Sequence, residues 1–174
     1  MTDIEDTTLR NKERPDHGWA NYSEPLWSEI LPGLWQGGTA DHDTTLTTRA
    51  RPGIDADDFQ FVTTLYAYAL PVDWFVKEIR FGVYDSDMED FNPEEMYEIV
   101  RMTHRAWKRG EKTLIRCQAG WNRSGLVMAL VLIRDGLSAE EAIALIRAKR
   151  SQYALCNQTF VAWLLDLDVT AVRA

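Results

Sequence analysis

Thr113-Leu114-Ile115-Arg116-Cys117-Gln118-Ala119-Gly120-Trp121-Asn122-Arg123-Ser124-Gly125 is the stretch that decides how this chain is read. Residues 113 to 117 have the character of a short, buried strand. Gln118 to Asn122 form a tight loop, with Gly120 where a side chain would obstruct the turn. From Arg123 the chain continues Ser-Gly-Leu-Val-Met-Ala-Leu-Val-Leu-Ile, apolar nearly all round. A helix of that kind belongs in the centre of a domain.

This order of elements has a chemical consequence. A short loop running into a helix N-terminus turns successive backbone N–H groups into one hollow. The hollow and the positive end of the helix dipole together bind an anion. A thiol at the start of the hollow, Cys117, lies in the same field, which favours the nucleophilic thiolate. Arg123, at the helix start, can return to the hollow, and its planar fork suits two oxygens of a phosphate. Nucleophile, anion cradle and guanidinium clamp describe phosphoryl transfer through a cysteinyl-phosphate intermediate. The plainer alternative is a buried Cys ending a strand and an Arg capping a turn.

The loop resembles the Cys-x5-Arg-Ser/Thr signature of the protein tyrosine phosphatase superfamily, and specifically the dual-specificity phosphatases. The resemblance extends from about Ser28 to Leu165. Glu29-Ile30-Leu31-Pro32-Gly33-Leu34-Trp35-Gln36-Gly37 is similar to the family's opening strand pair. It implies an α/β fold, a mixed central sheet of about five strands flanked by helices. It also implies that Cys117 is the nucleophile and that Arg123 binds the phosphoryl group. The Ser124 hydroxyl would assist the sulfur as leaving group. The backbone amides of Gln118, Ala119, Gly120, Trp121, Asn122 and Arg123 would form the cradle. No metal and no cofactor are expected. The substrate implied is a phosphorylated protein or peptide, phosphotyrosine first and phosphoserine or phosphothreonine second. A phosphate- or sulfate-type anion should fit the loop. The position of the loop, two-thirds along the chain, differs from that in low-molecular-weight phosphatases, which carry it near the N-terminus.

The resemblance also calls for a proton donor, an Asp on a loop some thirty residues before the Cys. Val83-Tyr84-Asp85-Ser86-Asp87-Met88-Glu89-Asp90-Phe91 lies there, after a strand and before a helix. Asp85 is preferred as general acid because its spacing to Asp90-Phe91 resembles the family pattern. Asp87 is the rival, and acids before a helix are often only solvated turn residues. Two departures from the family stand out. Most members have His before the nucleophile, and this chain has Arg116. An Arg pointing inward would still supply a cation beside the thiol, whereas strand alternation could send it elsewhere. Without that cation the chain reads as a phosphate-binding pseudo-phosphatase. The loop also lacks the Lys of phosphoinositide-directed relatives. Its Gly120-Trp121-Asn122-Arg123-Ser124-Gly125 is similar to a segment of RNA 5′-triphosphatases in the same superfamily, a minority reading.

Working outward, Ser28 to Gly38 reads as two strands around a Pro-Gly turn. Phe59 to Tyr66 and Glu78 to Val83 read as further strands. Residues 39–58 form a long polar loop, from which Arg49 and Arg51 could reach a phosphate. Asn92-Pro93-Glu94-Glu95 is a helix start, with an N-cap, a Pro at the first helical position and acids in the first turn. Met96, Ile99, Val100, Thr103 and Trp107 then share a face, and Gly110 ends the helix. Ser138 with Glu141 forms a capping box, and a last helix spans Thr159 to about Asp168. Asn157, Gln158 and Phe160 fall where the family has a loop facing the active site. Trp121 is expected at the mouth of the pocket, to stack on a substrate or merely to pack. Cys156 reads as a quiet buried thiol.

The whole chain of 174 residues supports one domain. Residues 1–22 read as a polar tail and 23–174 as the catalytic domain. Hydrophobic residues are 45% and charged residues 26%, as in ordinary globular proteins. A net charge of −8 argues against nucleic acid and anionic membranes as partners. Two cysteines form no disulfide framework, and the acidic N-terminus is wrong for a signal peptide, so the cytoplasm is expected.

Overall fold

The computed structural model describes residues 25–39, 54–88 and 91–174. The tail 1–22, Arg49, Arg51 and Asp90 lie outside them. The chain begins with two short strands, β1 (Trp27–Leu31) and β2 (Leu34–Gly37). They pair antiparallel about a Pro32-Gly33 turn, where Gly33 takes φ 76°. That left-handed angle suits a residue without Cβ. Strands β3 (Phe61–Thr64), β4 (Lys77–Arg80) and β5 (Thr113–Arg116) complete a five-stranded sheet in the order β1-β2-β5-β3-β4. All pairings other than β1 with β2 are parallel, so the sheet is mixed.

The register puts three strand ends level. Gly37 of β2 and Thr64 of β3 both align with Arg116, the last residue of the central strand β5. Cys117 is therefore the first residue beyond the carboxyl edge of three parallel strands. Ligands of open parallel sheets bind at such an edge, where strands end and helices begin. The strand expected over Glu78 to Val83 is shorter, because pairing with β3 stops at Arg80. Residues 81–88 then leave along the same edge.

Five helices follow among the described residues: α1 (Pro93–Lys108), α2 (Arg123–Arg134), α3 (Ala139–Lys149), α4 (Gln158–Leu165) and α5 (Val169–Arg173). The local signals act as chemistry requires. Asn92 caps α1, its side chain accepting from the N–H groups of Glu94 and Glu95. Ser138 and Glu141 form a reciprocal capping box on α3. The final helical stretch is broken in two. Helix α4 ends at Leu165, and Asp168 caps α5 through its bond from the Thr170 N–H.

Every residue of α2 from Ser124 to Ile133 is buried. Burial of each large aliphatic side chain there contributes about 1.5–3 kcal/mol, so α2 anchors the main core. Met96 and Val100 of α1, Ala142 and Ile146 of α3, and Phe160 and Leu164 of α4 join it from the other helices. Ile115 of β5 belongs to this core, whereas its neighbour Leu114 points to a smaller cluster with Ile54, Phe59, Val62 and Val76. That alternation fixes which face of the sheet the helices cover. No helix of the described residues is long and apolar enough to cross a membrane.

Candidate active site

The loop between β5 and α2 begins at Cys117, whose side chain is 1% exposed. Its N–H donates to the Gly37 carbonyl at 3.2 Å, which ties the loop to the end of β2. Its Sγ accepts the Gly120 N–H at 3.2 Å and lies 3.3 Å from Ser124 Oγ. Gln36 Nε2 donates to that Oγ at 3.4 Å. The sulfur thus accepts a backbone N–H and stands within hydrogen-bond reach of a hydroxyl that is itself held by Gln36.

The loop carbonyls are held on the outside. The Gln118 carbonyl accepts from the Thr39 N–H, and the Trp121 carbonyl from the Leu155 N–H. The Gly120 carbonyl accepts from Gln36 Nε2 at 3.2 Å and Arg150 Nε at 3.1 Å. The Asn122 carbonyl accepts the Leu126 N–H at 2.8 Å, the first bond of α2. In a trans peptide the next N–H points opposite to each carbonyl. The N–H groups of Ala119, Trp121, Asn122 and Arg123 are therefore turned toward the concave side of the loop. The loop runs directly into the N-terminus of α2, an end of a helix that favours an anion.

Gly120 is the residue that makes this turn. Its φ is 72°, and a Cβ there would sit 2.3 Å from the Gly37 carbonyl carbon. Two backbones meet at that point with no room for a side chain between them.

Arg123 opens α2 and turns back over the loop. Its Nη2 donates to Gln118 Oε1 at 3.4 Å, and Cζ stands 5.4 Å from the ring centroid of Tyr66. Its Nε is buried and has no hydrogen-bond partner. A buried guanidinium N–H with no acceptor is costly, and an oxyanion in the cradle is the natural acceptor for it. Trp121 is half-buried and leans on Tyr153, ring centroids 6.0 Å apart and planes tilted by 31°.

Asp85 is joined to the loop directly. Its Oδ2 accepts from Asn122 Nδ2 at 3.2 Å, and its Oδ1 from Asn157 Nδ2 at 3.1 Å. Asp87 is exposed two residues further on. The chain between α3 and α4 closes over the same loop. Besides the bonds from Arg150 and Leu155, the Asn157 N–H donates to Asn122 Oδ1 at 3.0 Å. Leu155 adopts φ 57°, and its Cγ occupies the space beside Gly125, 2.9 Å from where a Cβ would stand. Cys156 differs from expectation. It is exposed, because it sits just ahead of the α4 cap, with Sγ 3.3 Å from Asn122 Oδ1.

Arg116 turns away from the role a family His would fill. Its side chain is buried among β3, β4 and the segment after β3. Nε donates to Thr64 Oγ1 at 2.8 Å, and Nη2 to the Leu70 carbonyl at 2.7 Å and Glu78 Oε1 at 3.1 Å. Burial pushes the Glu78 carboxyl up, but hydrogen bonds from Arg80, Thr64 and Arg116 outweigh it and hold the group below its ordinary value.

Gln36, Tyr66, Arg150 and Asn157 shape the site without a strong local signal in the sequence. Each reaches the loop from a distant part of the chain, and only Asn157 stood in a segment already expected to face it.

The model of the dual-specificity phosphatase catalytic domain matches residues 59–169. Human dual specificity protein phosphatase 22 is 27% identical over 125 residues, which is 71% of this chain. The chain spans 64% of that relative's length. The crystal structure of human DUSP28 superposes with a TM-score of 0.63 at 23% identity, covering 82% of this chain and 92% of that one. A mouse putative dual specificity phosphatase, crystallised with zinc tungstate, gives 0.62 at 22% identity over 90% of this chain and 97% of that one. The matched segment contains the Cys117 loop, the segment carrying Asp85 and helices α1 to α4, so the chain belongs to the dual-specificity phosphatase family.

Proposed function

We propose that the chain is a cysteine-dependent phosphatase that hydrolyses phosphomonoesters on proteins, phosphotyrosine first and phosphoserine or phosphothreonine second. The observation that carries this reading is the surrounding of Cys117 Sγ. A buried sulfur accepts a loop N–H and faces a hydroxyl, at the mouth of a helix whose first residue is an Arg with a buried, unpartnered Nε.

The chemistry follows from those positions. The substrate phosphoryl oxygens occupy the amide cradle of Gln118 to Arg123, and the Arg123 fork binds two of them. Cys117 sulfur attacks phosphorus as the bond to the ester oxygen breaks. Asp85 gives its proton to that oxygen, and the dephosphorylated alcohol or phenol departs. A water then attacks the cysteinyl phosphate, Asp85 takes the water's proton, and the sulfur–phosphorus bond breaks. The Ser124 hydroxyl, with its acceptor side engaged by Gln36, donates to the departing thiolate. Trp121 and Asn122 line the entrance, Asn122 through its bond to Asp85.

The domain assigned to this activity is 23–174, with 1–22 as a tail. The reducing cytoplasm is the compartment that keeps such a thiol active. The missing family His supports a second, non-catalytic reading, because the described bonds of Arg116 run to Thr64, Leu70 and Glu78. One substrate panel separates the readings. Turnover of a small aryl phosphate and of phosphotyrosine peptide, lost in Cys117→Ser, is the expected result. Tight phosphopeptide binding without turnover would replace it with the non-catalytic reading. Phosphate release from triphosphorylated RNA well above that from peptide would replace it with RNA 5′-phosphatase activity.

A further inference from the structure

We infer that Arg116 is a positioning residue, which with Arg80 fastens the turn after β3 and so holds Tyr66 against the guanidinium of Arg123. This role rests on the reading of Arg123 as the phosphate clamp, and it gives the residue beside Cys117 a part in that clamp.

Arg116 grips residues 65–70 at both ends. Its carbonyl accepts the Leu65 N–H at 2.9 Å, which carries the pairing of β3 with β5 one residue past Thr64. Its Nη2 donates to the Leu70 carbonyl at 2.7 Å, and its Nε to Thr64 Oγ1 at 2.8 Å. Arg80 Nη2 reaches the far end of the turn from β4, donating to the Ala69 and Leu70 carbonyls at 2.9 and 3.0 Å. The Glu78 carboxylate holds both guanidinium groups, accepting from Arg116 at 3.1 Å and from Arg80 at 2.9 Å. Inside the turn, the Ala69 N–H donates to the Tyr66 carbonyl at 3.2 Å. The residue bracketed by these anchors is Tyr66.

The turn depends on them. Leu65 and Ala69 are buried, but Ala67, Tyr68 and Leu70 are exposed, so little apolar surface holds it in place. Segments of that kind open locally at low cost. Yet the Tyr66 ring stands 5.4 Å from Arg123 Cζ, and the Tyr68 ring meets it edge-on with centroids 5.7 Å apart. The hydrogen bond from Arg123 to Gln118 is long at 3.4 Å, and its buried Nε has no partner. Before an anion arrives, the guanidinium is therefore placed largely by the ring. A clamp already in position binds more tightly than one the anion must order. Arginine suits the task at 116, because one planar fork serves three separated acceptors on Thr64, Leu70 and Glu78. An imidazole has only two nitrogens to offer.

The experiment measures Kd for vanadate and for inorganic phosphate in the full chain. Wild type is compared with Arg116→Met, Arg80→Met, Tyr66→Leu and each arginine variant combined with Tyr66→Leu. Arg116→Met should weaken both anions about three- to tenfold, and Arg80→Met about threefold. In the Tyr66→Leu background neither should change affinity by more than about 1.5-fold, because the ring through which they act is gone. Thr63→Val removes a buried bond to Thr103 from the same strand without touching the turn, and it should bind within about 1.5-fold of wild type. Arg80 is more exposed than Arg116, so Arg80→Met decides the matter where Arg116→Met does not fold. A loss equally large with and without Tyr66 would mean that the arginines act as nearby charges. No loss at all would mean that the turn holds itself, and an equal loss in Thr63→Val would make the effect one of general stability. Each of these overturns the positioning role and leaves the clamp standing. A wild type that binds neither anion overturns both. If wild type binds them without Cys117-dependent turnover of an aryl phosphate, the phosphatase reading alone fails, and the coupling to Tyr66 still decides the role of Arg116.

Discussion

Arg116 and Glu78 form an ion pair at 3.1 Å with side chains only 5% and 13% exposed, although the residue next to Arg116 is Cys117, the proposed nucleophile. The pair spans two strands, since β3 lies between β5 and β4. Thr64 of that intervening strand completes it, accepting from Arg116 Nε and donating to Glu78 Oε1 at 2.6 Å. Arg80 adds a second cation to Glu78 at 2.9 Å and also holds the carbonyls of Ala69 and Leu70.

Breaking this network from the Arg116 side should be a stability event. Arg116→Met takes one cationic donor from the Glu78 carboxylate and one from the Leu70 carbonyl, and removal of one partner from a buried pair costs about 3–5 kcal/mol. Because Arg80 remains on Glu78, the loss is expected at the low end, about 3 kcal/mol by urea unfolding. Glu78→Gln in the Arg116→Met background should recover part of it. A loss under about 1 kcal/mol would show that the pair contributes no more than a surface bridge.

The same carboxylate sets a pH dependence. Glu78 is held below its ordinary value of 4.5 in the folded chain. The folded state therefore binds fewer protons there than the unfolded state. Its contribution to stability is fully present above the unfolded value and is lost as pH falls through the lower, folded one. Asp135 acts in the same sense. Burial raises it, but Lys108 and His104 hydrogen-bond it and bring it below 3.8. Unfolding free energy should decline as pH drops from about 5 toward 3. Glu78→Gln should make that decline shallower, as followed by urea titrations at each pH. An equally steep decline in the variant would remove Glu78 from the account.

The strand, turn and helix that carry Cys117 and Arg123 are legible in the sequence because their signals are local. The turn at Gly120, the sulfur at its start and the Arg at the helix start lie within seven residues, and backbone geometry alone relates them. The caps at Asn92 and Ser138 were readable for the same reason. What could not be read depends on which distant strand or loop becomes a neighbour. Alternation left two directions open for Arg116, and only the order β5-β3-β4 supplies Thr64 and Glu78 as its partners. Gln36 shows the same limit. It is a fully buried polar residue in a strand, explained only by Ser124 and Gly120 on a loop 84 to 88 residues away. The break between α4 and α5 is not legible in the sequence because a five-residue helix carries too little apolar period to separate from its predecessor.

Gly120→Ala is expected to disable the site. The new Cβ would have to adopt a positive φ and would meet the Gly37–Gly38 peptide at 2.3 to 2.5 Å. Neither contact is the end of a flexible side chain, so the backbone has to move. The N–H that bonds Cys117 Sγ moves with it. Displacing the donor on the sulfur, together with the loop that carries the proposed anion cradle, is expected to lower kcat on an aryl phosphate by about 100-fold or more. Activity within threefold of wild type would mean that the Gly120 bond to sulfur and the shape of this turn are not needed for turnover.

Tyr66 gives the last test, because its ring is the surface on which the Arg123 guanidinium rests. A cation over an aromatic face is worth about 0.5–2 kcal/mol, which here holds an Arg with a buried, unpartnered Nε close to the phosphate position. Tyr66→Leu keeps an apolar side chain but removes the π face. Arg123 then has to be ordered by the substrate itself, so binding of inorganic phosphate and vanadate should weaken about three- to tenfold. Tyr66→Phe retains the face and should stay within about twofold of wild type. The contrast between the two variants separates the ring from the hydroxyl. If Leu binds vanadate as tightly as Phe does, the ring is packing and not a rest for the clamp, and Arg123 is positioned by Gln118 and the helix start alone.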